Sequence, residues 1–228
     1  MVTVGLLVGH LPQARAASLL AGLLRESAPD GATIVELEPT ALPAHAPFAD
    51  TPLPEAGVAW RQRIEEVDGL LVVAPTHGRS VPGSLKHLID WACAEPSTLE
   101  GKPVVIAGAA APGAGTFLAM VRLRSFLTDA GAAVMGQPER QLTVSAEDFE
   151  SSGACRTPDL AAQASVLAHA AAEYVTHVAR VGASGPIPVV PSDPVARVRA
   201  ATPGPASPAA GMPSLVDTVA LAPPVDQQ

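Results

Sequence analysis

Thr76-His77-Gly78-Arg79-Ser80 follows directly on the apolar run Leu70–Ala74 and on Pro75, and leads through Pro82-Gly83 into an amphipathic segment ending Ile89-Asp90-Trp91. A polar turn at the carboxyl end of a buried strand is where parallel α/β sheets hold ligands. His77 could stack on such a ligand or donate a hydrogen bond, and Gly78 lets the backbone approach it closely. Two other segments have the same strand–turn–helix form. Gly9 to Ser18 contains His10, Arg15 and Ser18, which could together hold an anion at a helix N-terminus. Arg15 could equally be a solvated helix residue. Ala109 to Thr116 contains Gly113 and Gly115, small residues suited either to a close ligand or to a plain turn. The chain has no G-x-S-x-G elbow, P-loop, H-E-x-x-H or paired-cysteine motif, so no side chain reads as a nucleophile or metal ligand. Lys86 and Asp90, four apart, suit an intrahelical ion pair. His87 reads as a packing residue at a helix or subunit interface, and Glu65-Glu66 and Glu147-Asp148 as solvated faces.

The elements that must position these turns follow from hydrophobic periodicity. Strands are expected at Val2–Val8, Thr33–Leu37, Leu70–Ala74 and Val104–Gly108, with a fifth beginning at Ala132–Met135. Helices are expected at Ala14–Arg25, Gly57–Val67 with Val58, Ile64 and Val67 inward, Ser84–Ala94, Thr116–Ala130 and Leu160–Val181. Five prolines make 39–54 a loop. Strands alternating with helices of about 12 residues predict a parallel sheet covered on both faces. The predicted fold is α/β: a flavodoxin-like three-layer sandwich with a five-stranded parallel sheet in the order 2-1-3-4-5. The domain spans 1–181. Residues 182–228 form a Pro/Ala-rich tail with ten prolines and no lysine, expected to be disordered. Within the tail, 212–221 is a short apolar island that reads either as chance composition or as a docking peptide for a protein partner.

Composition narrows the function. Of the 228 residues 48% are hydrophobic but only 3% aromatic, so Ala, Leu and Val must fill the core. A net charge of −8 leaves no electrostatic footprint for nucleic acid, and an anionic ligand would need local donors. No apolar run reaches the length of a membrane span. Cys93 and Cys155 lie far apart, as expected of idle thiols in a reducing compartment. With Val2 opening a strand and no basic leader before it, the expected location is the cytoplasm.

The stretch from Pro75 to Trp91 resembles the NADPH-dependent FMN reductases, the flavodoxin-like quinone, azo-dye and chromate reductases, and the resemblance extends across roughly residues 1–180. Their turn reads P-E-Y-N-x-S-x-P-G-x-L-K-N-x-I-D-W. Pro75, Ser80, Pro82-Gly83, Leu85-Lys86 and Ile89-Asp90-Trp91 keep this frame, while Thr76-His77-Gly78 replaces E-Y-N. The family's first loop, G-S-x-R-x-x-S-x-N, becomes Gly9-His10-Leu11-Pro12-Gln13-Ala14-Arg15-Ala16-Ala17, so its donors are absent from their places.

The resemblance implies an FMN-dependent NAD(P)H oxidoreductase that reduces a flavin, quinone or similar small-molecule acceptor, with NADPH or NADH as donor. The flavin carries the chemistry and no side chain is catalytic. His10, Arg15, Ser18, Pro75, Thr76, His77, Gly78, Ser80, Gly113 and Gly115 are the expected cofactor contacts. A homodimer or homotetramer is implied as well. The altered loops motivate an alternative, a flavodoxin-like protein that has lost FMN and acts as a binding or assembly partner through its tail.

Overall fold

The computed structural model describes residues 1–9, 15–38, 41–45 and 52–183. Among these, the β-branched and aliphatic runs form strands β1 (Val2–Val8), β2 (Ala32–Glu36), β3 (Gly69–Ala74) and β4 (Pro103–Ala110), followed by short β5 (Ala133–Val134) and β6 (Arg140–Thr143). Helices α1 (Ala16–Glu26), α2 (Glu55–Glu65), α3 (Gly83–Ala92), α4 (Phe117–Asp129) and α5 (Pro158–Ala183) alternate with the strands or close the domain. All pairings are parallel, in the order β2-β1-β3-β4-β5, with β6 also on β4. This is the flavodoxin-like arrangement that the sequence predicts.

Every residue of β3 and β4 is buried, because helices cover both faces of the sheet. Alternation along the strands divides the core. Val4, Leu6, Val8, Leu71, Val73 and Val105 pack with α1 and α5, whereas Leu7, Leu70, Val72, Val104 and Ile106 pack with α2, α3 and α4. The two tryptophans join this second layer and spend their ring N–H groups on carbonyls, Trp60 on Leu88 at 3.0 Å and Trp91 on Pro43 at 3.1 Å. Buried Arg61 donates to the carbonyls of Ala94 and Pro96, tying α2 to the turn after α3.

Two expectations need correction. Val58 is 49% exposed, because buried Trp60 and Ile64, one helical turn apart, set the inward stripe of α2. Val58 lies about 200° round the helix from Trp60. The fifth strand is split. β5 spans two residues and pairs only with Pro103 and Val104, while β6 continues the edge beside Ala107–Ala110. Between them Pro138 has no N–H to give the ladder. The sixth strand adds four residues to the carboxyl end of the sheet, where the ligand turns lie.

α5 ends two residues beyond the expected domain limit at 181. Residues 184–228, including the island at 212–221, lie outside the described residues, as does His10. Among the described residues no helix is long and apolar enough to cross a membrane, and no cluster of His, Cys, Asp or Glu could hold a metal.

Candidate functional site

The ends of β3, β4 and β6 and the start of α1 surround a cleft of about 310 Å³. That is near the lower end of the range of about 300–1,000 Å³ for small-molecule sites. Arg15, Ala16 and Leu19 form one wall, Pro75 and Thr76 another, and Ala109–Pro112, Ala114 and Thr116 a third. Among these lining residues Arg15 alone is charged, and it sits at the N-cap of α1, where no side-chain hydrogen bond caps the helix. The first-turn N–H groups of α1 and the Arg15 guanidinium therefore suit an anionic group at this end. The remaining lining is mostly alanine and proline, a surface for a flat apolar body.

The turn after β3 has a defined shape. The N–H of His77 donates to the carbonyl of Ser80 at 3.0 Å, and the N–H of Ser80 returns the bond at 2.9 Å. Between them Gly78 has a φ of 55° and Arg79 a φ of 58°. Two successive positive φ values at the central positions make this a type I′ turn. A side chain at Gly78 would meet open space, so it is the left-handed backbone that favours glycine there. The asparagine of the family pattern is also a residue that tolerates this conformation. His77, Gly78 and Arg79 are exposed at the rim of the site, and neither they nor Ser80 line its wall.

Two side chains fasten this turn to the next loop. Thr76 Oγ1 donates to the carbonyl of Gly115 at 2.8 Å, and Arg122 Nη1 donates to the carbonyl of Arg79 at 2.9 Å. The loop is itself tied to β6, where Gln141 Oε1 accepts from the N–H of Thr116 at 2.6 Å and from its hydroxyl at 3.1 Å. Gly113 makes a tight turn at φ 76°, and Gly115 supplies the carbonyl that Thr76 holds. Ser18 is exposed on the first turns of α1 and is not part of the wall. Of the sequence candidates, the structure thus brings Arg15, Pro75 and Thr76 around one cleft.

Val144, Ser145 and Ala146 supply a fourth wall that the sequence reading missed. Leu142 and Val144 are buried, with exposed Thr143 between them. This period of two was the available strand signal. Beyond the strand, the Ser145 N–H donates to Asp148 Oδ2 at 2.8 Å, and Thr157 Oγ1 donates to Asp148 Oδ1 at 2.7 Å. These bonds, the Ser145 N–H foremost, hold the Asp148 carboxyl below its ordinary range. Asp148 is thus a half-buried support of the cleft wall, which corrects the expectation of a solvated face.

A larger hollow of about 840 Å³ lies at the opposite end of the sheet, between the turn Pro29–Ala32 and the flank of α5. It collects none of the turns after β1, β3 and β4, where this sheet type holds its ligand, so size does not make it the better site.

These features define a flavodoxin-like domain whose cleft joins a cation-bearing helix start to a mostly apolar slot. The chain belongs to the NADPH-dependent FMN reductase family, whose family model matches residues 2–146. It is 33% identical over 138 residues to a 2-hydroxy-1,4-benzoquinone reductase of Burkholderia sp, covering 60% of this chain and 75% of that relative. It is also 33% identical over 145 residues to a quinone reductase of Escherichia coli (strain K12), covering 58% and 73%. Among solved structures, the flavoenzyme FerB, an NAD(P)H:(acceptor) oxidoreductase of Paracoccus denitrificans, superposes with a TM-score of 0.69 at 28% identity, covering 78% of this chain and 98% of that one. The protein is accordingly an FMN-dependent NAD(P)H oxidoreductase, and the alternative of a scaffold that has lost FMN is not favoured. The donor chemistry fits the cofactor: a cation at a helix start at one end, small and mostly apolar walls at the other.

Proposed function

We propose that this protein uses NAD(P)H and bound FMN to reduce a quinone-type acceptor. The observation that carries this reading is Arg15, the one cation among the described lining residues, placed at a helix start with no side-chain cap hydrogen bond in a mostly apolar cleft. Arg15 and the first turn of α1 would hold the phosphate, while Pro75, Thr76 and the 109–116 loop would hold the ring system. FMN, when bound, supplies the hydride acceptor and donor chemistry. The chain's own contribution is to bind, orient and shield. The relatives named as quinone reductases support a flat, neutral acceptor, and the alanine-rich wall would accept one without demanding specific hydrogen bonds.

The functional unit in this reading is a homo-oligomer. On α4, next to the 109–116 loop, Phe117 is 68% exposed, Leu118 48% and Val121 45%. An apolar patch of this kind marks an interaction surface, and a second copy would cover it. Free thiols at Cys93 and Cys155 and dependence on NAD(P)H agree with work in the cytoplasm.

The test is an absorbance spectrum after FMN addition and desalting, followed by NAD(P)H oxidation with a benzoquinone. Retained flavin bands with quinone-dependent turnover support the reading, and complete loss of FMN overturns it. Light scattering on Phe117→Arg checks the oligomer: a shift to monomer is expected, and an unchanged mass removes α4 from the interface.

A further inference from the structure

We propose that Thr76 and Arg122 are positioning residues that lash the type I′ turn His77–Ser80 to α4 and its loop, so that the cofactor meets a turn already shaped. The inference rests on the FMN reading for its functional consequence, but not for its structural one. The turn is exposed at its tip, and the non-glycine residue Arg79 stands there at a φ of 58°. L-residues resist that conformation. The turn's own reciprocal pair of hydrogen bonds is solvent-facing and weak on balance. Without help such a turn would sample other shapes.

The help comes from one direction. Thr76 Oγ1 reaches the Gly115 carbonyl across 39 residues of sequence, and Arg122 reaches the Arg79 carbonyl across 43. Both anchors belong to the α4 unit. That unit is fixed in turn by Gln141 of β6, which accepts the N–H and hydroxyl of buried Thr116. The turn is therefore braced against the edge of the sheet by side-chain bonds to backbone. A donor is required at position 76, because the acceptor is a carbonyl. The glutamate of the family pattern would be acceptor-only when ionised and could not make this bond.

A pre-shaped turn matters because apparent affinity falls by the fraction of molecules holding the binding shape. Each brace is a single hydrogen bond, so removing it should lower the equilibrium constant for the binding shape by a factor of about 5, and the populated fraction by at most that factor. The test follows two readouts in Thr76→Val, Thr76→Ser and Arg122→Met: tryptic cleavage of the Arg79–Ser80 bond in the flavin-free protein, and the FMN dissociation constant.

Thr76→Val and Arg122→Met should each speed that cleavage by about fivefold and raise the FMN dissociation constant by at most that factor. The urea midpoint and cleavage at other sites should stay near wild type. Thr76→Ser, which keeps the donor, should restore both readouts. Unchanged cleavage at Arg79 in Thr76→Val and Arg122→Met overturns the proposal. So does faster cleavage throughout the chain, which would make these residues general supports. If wild-type protein releases all FMN, the cofactor reading fails, and the cleavage data alone decide the brace.

Discussion

Gly108 lies in β4 directly beneath the start of α4, and the perturbation of most interest is its replacement by alanine. A Cβ built there would meet Thr116 Oγ1 at 2.1 Å, Met120 Sδ at 2.5 Å and Thr116 Cβ at 3.2 Å. Met120 can swing its sulfur aside. Thr116 cannot move as easily, because its hydroxyl and N–H are both engaged by Gln141. Relieving the clash means shifting α4 away from the sheet and giving up the Thr116 hydroxyl bond. Overpacking of this kind costs about 1–3 kcal/mol, and the lost hydrogen bond about 1 kcal/mol more. The reduced freedom of the unfolded chain returns about 0.4–1 kcal/mol. The net expectation for Gly108→Ala is about 2 kcal/mol of destabilisation.

Urea unfolding reads this directly. With a slope of about 2 kcal/mol/M, the midpoint should fall by about 1 M at unchanged slope. Thr116→Ala removes the hydroxyl that the new methyl strikes, so the double variant should lose less than the sum of the single losses, by about 0.5–2 kcal/mol. Thr116 also lines the cleft, so Gly108→Ala should weaken FMN binding as well. A midpoint within about 0.2 M of wild type, or strict additivity with Thr116→Ala, would refute the packing argument.

Arg15→Ala should weaken FMN by about tenfold, the lower end for a charge-assisted bond at an exposed site, and leave riboflavin affinity nearly unchanged. Fluorescence titration of both ligands checks this, and equal losses would place Arg15 away from the phosphate. Gly78→Asn should leave the thermal midpoint near wild type, because asparagine tolerates the positive φ that Gly78 adopts. Gly78→Val should cost about 1–2 kcal/mol, because a β-branched residue resists that region; equal midpoints would argue against the type I′ turn. Asp148 titrates below its ordinary range in the folded state. Its contribution is therefore fully present above about pH 4 and is lost as pH falls through the lower folded value. Asp148→Asn should be less stable than wild type at about pH 7, and the gap should narrow as pH falls below about 4; a gap constant with pH would remove the carboxylate from the account.

Much of this architecture is written in local periodicity. The solid apolar runs at Leu70–Ala74 and Val104–Gly108 declare strands covered on both faces, and the polar turns after them mark the ligand end of the sheet. The placements of Pro75, Thr76 and the 109–116 loop beside a cleft follow from that alternation. Neighbours along the chain settle such features, because burial of one strand face or one helix stripe needs only a repeat of two or 3.6 residues.

The corrections concern which groups the fold sets against each residue. The alternation around Leu142 is brief and set in a polar stretch, and Arg140–Thr143 becomes a strand because β4 offers it an open edge beside Ala107–Ala110. Val58 turns outward because Trp60 and Ile64 take the interior. Asp148 becomes a support because the Ser145 N–H and the Thr157 hydroxyl both reach its carboxylate. Thr76 shows the division most clearly. Its place at the end of the third strand follows from the apolar run before it. Its bond to Gly115 does not, because a hydrogen bond depends on distance in space, and the chain brings these two residues together only once the sheet has formed.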